Sequence, residues 1–91
     1  MKIYKYELAI TDSQVIPIGD SFAKPLCVAE QDGKLCMWVQ LDENRQSNFA
    51  FGVKIFGTGN PIDDLSGHEY VGSVIMSNSL VWHVYVCNAE V

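Results

Sequence analysis

Hydrophobic and polar residues alternate with a period of two along most of this 91-residue chain. The alternating segments are rich in β-branched and aromatic residues and are bounded by Gly, Pro, Asn, Asp or Ser, which is typical of β-strands. The predicted strands are residues 2–8, 26–30, 35–41, 49–56, 69–76 and 80–87. Residues 14–18 add a short seventh candidate, which Pro17 would confine to the edge of a sheet.

The length and composition indicate one folded domain. At 91 residues the chain is too short for two cores, and 48% hydrophobic with 19% charged residues is a globular composition. No segment combines apolar residues at helical spacing with a cap and a stop. We therefore expect a single all-β domain over residues 1–91, built as a small sandwich or partly open barrel of six or seven short antiparallel strands.

The dipeptide Asp32-Gly33 predicts a β-hairpin with a two-residue type I′ turn, because both central residues of that turn need positive φ. In this register the numbers of facing residues sum to 65. The predicted pairs are Leu26–Val39, Cys27–Trp38, Val28–Met37, Ala29–Cys36 and Glu30–Leu35.

Several predicted strands are apolar on both faces, most clearly residues 49–56 and 80–87. A chain of this length cannot bury both faces of several strands by itself, so we expect a homo-oligomer with a symmetric interface. Trp38 and residues 49–56 are the leading interface candidates. The alternative is that the tryptophans and phenylalanines fill one core.

Charge and cysteine content narrow the possible partners and the compartment. The net charge of −5, without a Lys/Arg cluster, argues against binding to DNA or RNA polymers but permits a small anion at one local site. The charged N-terminal segment is unlike a signal peptide, and no segment predicts a membrane span, so we expect a cytoplasmic protein. Three cysteines, an odd number, predict free thiols in a reducing compartment.

The most informative segment for function is the glycine-rich loop that follows residue 56. Gly57 and Gly59 can adopt positive φ and present backbone N–H groups to an anion. Aromatic side chains can stack on a ring, and Arg45 or Lys54 can supply charge. The predicted ligand-binding residues are Gly57, Thr58, Gly59, Asn60, Trp82, His83, Tyr70, Trp38, Arg45 and Lys54.

No catalytic, metal or cofactor site is predicted. The chain has two histidines, of which His68 falls in a loop and His83 inside an apolar strand. The spacing of Cys and His matches no zinc motif, and the glycine loop lacks the Lys-Ser/Thr end of a P-loop. We therefore expect a protein that is not an enzyme.

The pattern Phe-Gly-Thr-Gly-x-Pro-Ile, then Tyr-Val-Gly-Ser-Val, then Val-Trp-His-Val resembles a family of small proteins of unknown function found mainly in tailed phages and prophages. The resemblance covers most of the chain, but Asn60 stands where that family commonly has His. A weaker similarity of size and class is to compact phage proteins that sequester cyclic-nucleotide or cyclic ADP-ribose signals of host immunity. This implies a small phosphorylated ligand bound in the host cytoplasm; the alternative is a protein-interaction module, such as a host-takeover inhibitor or virion accessory protein.

Overall fold

The computed structural model describes residues 1–91 and contains seven strands and no helix. The strands are β1 (Lys2–Glu7), β2 (Ser13–Pro17), β3 (Lys24–Gln31), β4 (Lys34–Leu41), β5 (Phe49–Gly57), β6 (Glu69–Ile75) and β7 (Val81–Glu90). Every strand pairing is antiparallel. The prediction of an all-β domain is confirmed, and the extra short strand that ends at Pro17 lies at a sheet edge as expected.

The strands form two open sheets that share one core. The three-stranded sheet has the order β1-β4-β3 and the four-stranded sheet the order β2-β5-β7-β6. Since alternate residues of a strand face the same side, β4, β5 and β7 each contribute one row of apolar side chains to the space between the sheets. The sheets do not close into a barrel, so of the two predicted architectures the structure has the sandwich.

The Asp32-Gly33 turn is confirmed, with φ of 54° at Asp32 and 79° at Gly33. Four of the five predicted cross-strand pairs are present, from Cys27–Trp38 to Glu30–Leu35. The pair of Leu26 with Val39 is wrong, because a bulge between Pro25 and Cys27 places Pro25 opposite Val39. Proline lacks the N–H that a regular ladder requires, and a bulge is one of the places where a sheet accommodates it.

Replacement of Gly33 by valine is expected to lower the free energy of unfolding by about 1–2 kcal/mol, since a β-branched residue is strained at positive φ. Nothing lies within 4 Å of the position that a Cβ would take at Gly33, so the loss is conformational and not steric. Gly33→Asn is the matched control, because asparagine tolerates this conformation. Urea denaturation measures both variants, and equal stabilities would contradict the interpretation.

The predicted interface segment lies mainly inside the chain's own core. Phe49, Phe51, Val53 and Ile55 are at most 8% exposed and contact the rows of the facing sheet. For these side chains the expectation of a subunit interface is therefore wrong, because they are already covered. Trp38 is different: it lies half-buried on the outer face of the three-stranded sheet.

All three cysteines are free thiols, as their odd number predicted. Cys36 is buried and Cys27 is exposed, and each faces a different residue across the hairpin. No helix of the length and apolarity needed to cross a membrane is present.

Candidate functional site

The glycine-rich loop lies at the end of β5, beside the start of β7, where Gly57 pairs with Trp82. The N–H of Asn60 donates to the carbonyl of Gly57 at 3.1 Å, and Gly59 has φ of +88° at the third position, as in a type II turn. The N–H of Thr58 donates to the carbonyl of Val81 at 3.3 Å. Two of the loop's N–H groups are thus used within the chain, so side chains must provide most of the contacts to any ligand.

Gly57 does not adopt the positive φ expected of it, which in this loop only Gly59 does, and its lack of a side chain matters for packing instead. A Cβ at this position would stand 2.8 Å from Nδ2 of Asn60 and 3.2 Å from Cζ3 of Trp82. The absence of a side chain therefore lets the Asn60 amide and the indole ring lie directly against the backbone.

Two cavities adjoin this loop and share Gly57, Asn60 and Trp82. The larger, of about 410 Å³, is also lined by the carboxylates of Asp12 and Asp63. The smaller, of about 310 Å³, has no charged lining residue. Its lining consists of Gly57, Thr58, Asn60, Ser79, Leu80, Val81 and Trp82. The smaller cavity is thus the one that an anion can enter without meeting a carboxylate.

A continuous chain of hydrogen bonds crosses the outer face of the four-stranded sheet next to the smaller cavity. Thr58 Oγ1 lies 2.7 Å from His83 Nε2, and His83 Nδ1 lies 2.6 Å from Ser73 Oγ. Ser73 Oγ is in turn 2.6 Å from the hydroxyl of Tyr70. Three segments of the chain, namely the loop, β6 and β7, meet in this arrangement.

The position of the proton on His83 determines which end of this series of hydrogen bonds has a free hydroxyl donor. A neutral imidazole has one N–H donor and one acceptor nitrogen. If the proton is on Nε2, His83 donates to Thr58, and the Thr58 hydroxyl is free to donate outward. If it is on Nδ1, Thr58 donates to His83, and the free outward O–H is that of Tyr70. While His83 is neutral, this series of hydrogen bonds therefore has one hydroxyl free to donate to a ligand, either that of Thr58 or that of Tyr70.

Aromatic rings extend the site along the same face. The ring centroids of Tyr70 and Tyr85 are 5.3 Å apart, and those of Phe56 and Tyr85 are 6.0 Å apart in an edge-to-face arrangement. Tyr70 is 55% exposed, which leaves part of its ring accessible to a ligand.

The positive charge near the site is largely balanced. Lys54 Nζ lies 3.6 Å from Oδ2 of Asp63. The hydroxyl and N–H of Ser66 both donate to Asp64, and these bonds hold the pKa of that carboxyl below its usual value, with smaller contributions from Lys54 and His68. Asp64 therefore remains ionised and adds negative charge beside Lys54.

No group of three or more His, Cys, Asp or Glu side chains is placed to hold a metal ion.

The structure places most of the predicted ligand-binding residues on or beside one sheet but not on one face of it. Trp82 lies on the inner face with Val74, whereas His83 and Tyr70 lie on the outer face. Those on or beside the four-stranded sheet are Gly57, Thr58, Gly59, Asn60, Trp82, His83, Tyr70 and Lys54. Trp38 belongs to the other sheet. Arg45 lies before the start of β5, at the opposite end of that strand from Gly57, and forms ion pairs with Asp20 and Asp42. Neither Trp38 nor Arg45 lies at the loop.

Ser73, Ser79 and Tyr85 belong to the site and were not predicted. Ser73 lies directly opposite His83, but a bulge between Tyr70 and Gly72 shifts the register of β6, and the sequence alone does not fix that shift. Ser79 lies in the turn between β6 and β7. That turn reaches the glycine-rich loop because β5, β7 and β6 are neighbours in the sheet, which the sequence does not show.

The model of the family described as a domain of unknown function, DUF7352, matches residues 1–90. No curated protein and no solved structure matches the chain.

Proposed function

Because the chain belongs to the DUF7352 family, whose function is unknown, we propose a function from the geometry of the site: non-enzymatic binding of a small phosphorylated ligand of the cyclic-nucleotide type. The observation that carries this proposal is the cavity of about 310 Å³, which has polar side chains, an indole wall and no charged lining residue. Its volume is at the lower end of the range found for ligand pockets.

The side chains around this cavity suit a phosphate group next to a ring. Thr58, Asn60 and Ser79 offer hydroxyl and amide donors, and Thr58 has its O–H free when the proton of His83 is on Nε2. Trp82 supplies an aromatic wall, and stacking of one base on such a ring contributes about 1–3 kcal/mol. The ligand is held by neutral donors, which fits a chain whose net charge is −5.

Binding without turnover is supported by the surroundings of His83. Both ring nitrogens contact hydroxyl oxygens, and no carboxylate is bonded to the imidazole. A carboxylate partner is what stabilises the imidazolium in hydrolytic triads. The ligand is therefore released unchanged. In a phage-encoded protein, binding of this kind lowers the free concentration of an immune signal in the host cytoplasm.

The test is a thermal-shift and calorimetric screen of cyclic dinucleotides, cyclic ADP-ribose isomers and ordinary nucleotides. Thr58→Ala and Asn60→Ala are each expected to weaken binding by about tenfold or more, since each removes one hydrogen bond to a charged group. Asn44→Ala, an exposed site between β4 and β5, is the matched control and should bind like the wild type. If no compound raises the melting temperature at millimolar concentration, the proposal is wrong.

A second candidate function is a protein-interaction module, and a different surface favours it. The outer face of the three-stranded sheet has Trp38 on its central strand, with Lys5 and Cys27 directly opposite on the two flanking strands. Ile3, farther along the same face, is 60% exposed. A sheet face with a half-buried tryptophan and an exposed isoleucine suits a protein partner better than a small molecule. A negative ligand screen would leave this as the preferred function, in a host-takeover inhibitor or virion accessory protein.

A further inference from the structure

We infer that the open edge of β1 pairs, antiparallel, with β1 of a second copy of this chain, in the register that places Lys5 opposite the second copy's Glu7. The inference concerns the three-stranded sheet and does not depend on the ligand proposed above. It names an interface for the expected homo-oligomer other than the core residues of β5.

Of the four sheet edges, β1 is the one whose backbone is interrupted by neither a proline nor a bulge. β2 is five residues long and ends in Pro17, which has no N–H. β3 and β6 both contain a bulge, and the two strands lie against each other, with Val28 Cγ2 only 3.0 Å from the position of a Cβ at Gly72. The strand β1 has six residues in regular register with β4 and contains neither Gly nor Pro.

The hydrogen-bond pattern shows which backbone groups of β1 are free. Leu8 N–H donates to the Leu35 carbonyl at 2.8 Å, which makes these residues a hydrogen-bonded pair. Hydrogen-bonded and non-hydrogen-bonded pairs alternate in an antiparallel ladder, so the even-numbered residues of β1 bond to β4. The N–H and C=O groups of Ile3, Lys5 and Glu7 therefore point away from the sheet.

The Asp32-Gly33 turn between β3 and β4 independently shows which residues of β1 bond to β4. A two-residue hairpin makes Gln31 and Lys34 a hydrogen-bonded pair, so the even-numbered residues of β4 bond to β3. The odd-numbered residues of β4, which face even-numbered residues of β1, are then the ones that bond to β1.

The charges on the edge favour the register of self-pairing that places oppositely charged side chains directly opposite each other. The unpartnered N–H and C=O groups of one copy must bond to those of the other. Odd-numbered residues therefore pair with odd-numbered residues across a two-fold axis. Pairing centred on Lys5 would place the two lysines directly opposite each other, which is destabilising. Pairing centred on Tyr6 places each Lys5 opposite Glu7 and forms four backbone hydrogen bonds between the chains. The same charges that disfavour other strands at this edge thus favour this one.

The side chains of the selected register also fit. Lys5 and Glu7 lie on the outer face, where Glu7 already contacts Lys34 at 3.3 Å and Lys5 donates to Gln31 at 2.6 Å. On the inner face the two Tyr6 rings meet at the axis, beside the core that each already contacts. Aromatic cross-strand pairs stabilise a sheet. The result is a continuous six-stranded sheet with both Trp38 side chains on one face.

The test is a charge exchange measured by sedimentation equilibrium at low ionic strength. Lys5→Glu and Glu7→Lys each place like charges opposite each other at two symmetric positions, so each is expected to weaken dimerisation by about tenfold or more. The double variant Lys5→Glu/Glu7→Lys restores opposite charges and is expected to dimerise as the wild type does. Gln31→Ala, which removes the intramolecular partner of Lys5 without changing the edge charges, is the control and should leave the dimer intact.

A second variant tests the backbone directly. Lys5→Pro removes an N–H that has no partner within the chain, so dimerisation is expected to be lost while the melting temperature of the monomer changes little. A wild-type protein that stays monomeric at hundreds of micromolar would overturn the inference, as would a dimer that withstands both single charge changes or a double variant that does not recover. Ligand binding at the Gly57–Asn60 loop, on the other sheet, is measured separately, so the two proposals fail independently.

Discussion

Phe51→Ala is expected to lower the free energy of unfolding by about 3–5 kcal/mol, the range for truncation of a buried aromatic side chain. Phe51 is 3% exposed on the inner face of β5 and packs edge-to-face on Phe49, with ring centroids 5.3 Å apart. Removal of its ring leaves a cavity between the two sheets, which the strands on either side can close only in part. Urea denaturation measures the loss.

Trp38→Ala is the matched variant for an aromatic residue that lies outside the core. Trp38 is half-buried on the outer face, so its truncation should cost clearly less stability than that of Phe51. If Phe51→Ala left stability unchanged and dissociated an oligomer instead, the ring would belong to an interface and the assignment of β5 to the core would be wrong.

Asp20→Asn is expected to lower the melting temperature by about 5 °C or more at neutral pH. Asp20 is the one buried charged residue. Its carboxylate accepts hydrogen bonds from Phe22 N–H at 2.9 Å and Asp42 N–H at 2.8 Å, and Arg45 Nε lies 3.4 Å away. These contacts join the β2–β3 connection to the β4–β5 connection. An asparagine has one acceptor oxygen, so at least one of the two bonds is lost.

The same site predicts a loss of stability in acid. The N–H of Asp42 is the main reason that the pKa of Asp20 lies below its usual value, with further lowering from Phe22 N–H and Arg45 and an opposing effect of burial. A lowered pKa means that the stabilisation is complete above the carboxyl's usual pKa of about 4 and is lost as the pH falls through the lowered value.

Melting temperatures between pH 2 and pH 7 test this dependence. The Asp20→Asn variant should lose less stability over the acid range than the wild type. Asp32→Asn, at an exposed turn where asparagine fits the positive φ, is the control and should keep the wild-type pH dependence. Identical acid profiles for the wild type and Asp20→Asn would show that Asp20 is not the group responsible.

Local patterns were sufficient to predict much of the fold. The period-two alternation located all seven strands, and Asp32-Gly33 defined the hairpin register, because positive φ at two successive residues admits few turn types. The Leu26–Val39 pair was the exception, since the bulge at Pro25 depends on how β3 adapts to its neighbours. The glycine-rich segment after residue 56 was likewise recognised as a loop, from residue types alone.

The candidate site shows what the sequence could not determine. Thr58 and His83 were both predicted, but their hydrogen bond and the link through Ser73 to Tyr70 depend on β6 lying beside β7 in a shifted register. Lys54 forms an ion pair with Asp63, which the sequence did not predict.

By itself, the sequence determined the secondary structure, the hairpin turn, the free thiols and the absence of a cluster of basic residues, because each depends on residues close in the chain or on simple counts. Only the tertiary structure decided which apolar face of β5 is core, which edge of the sandwich is open, and which polar residues meet at His83. These depend on sheet order and on which strands become neighbours, since residues far apart in sequence come into contact only when the two sheets have paired and packed.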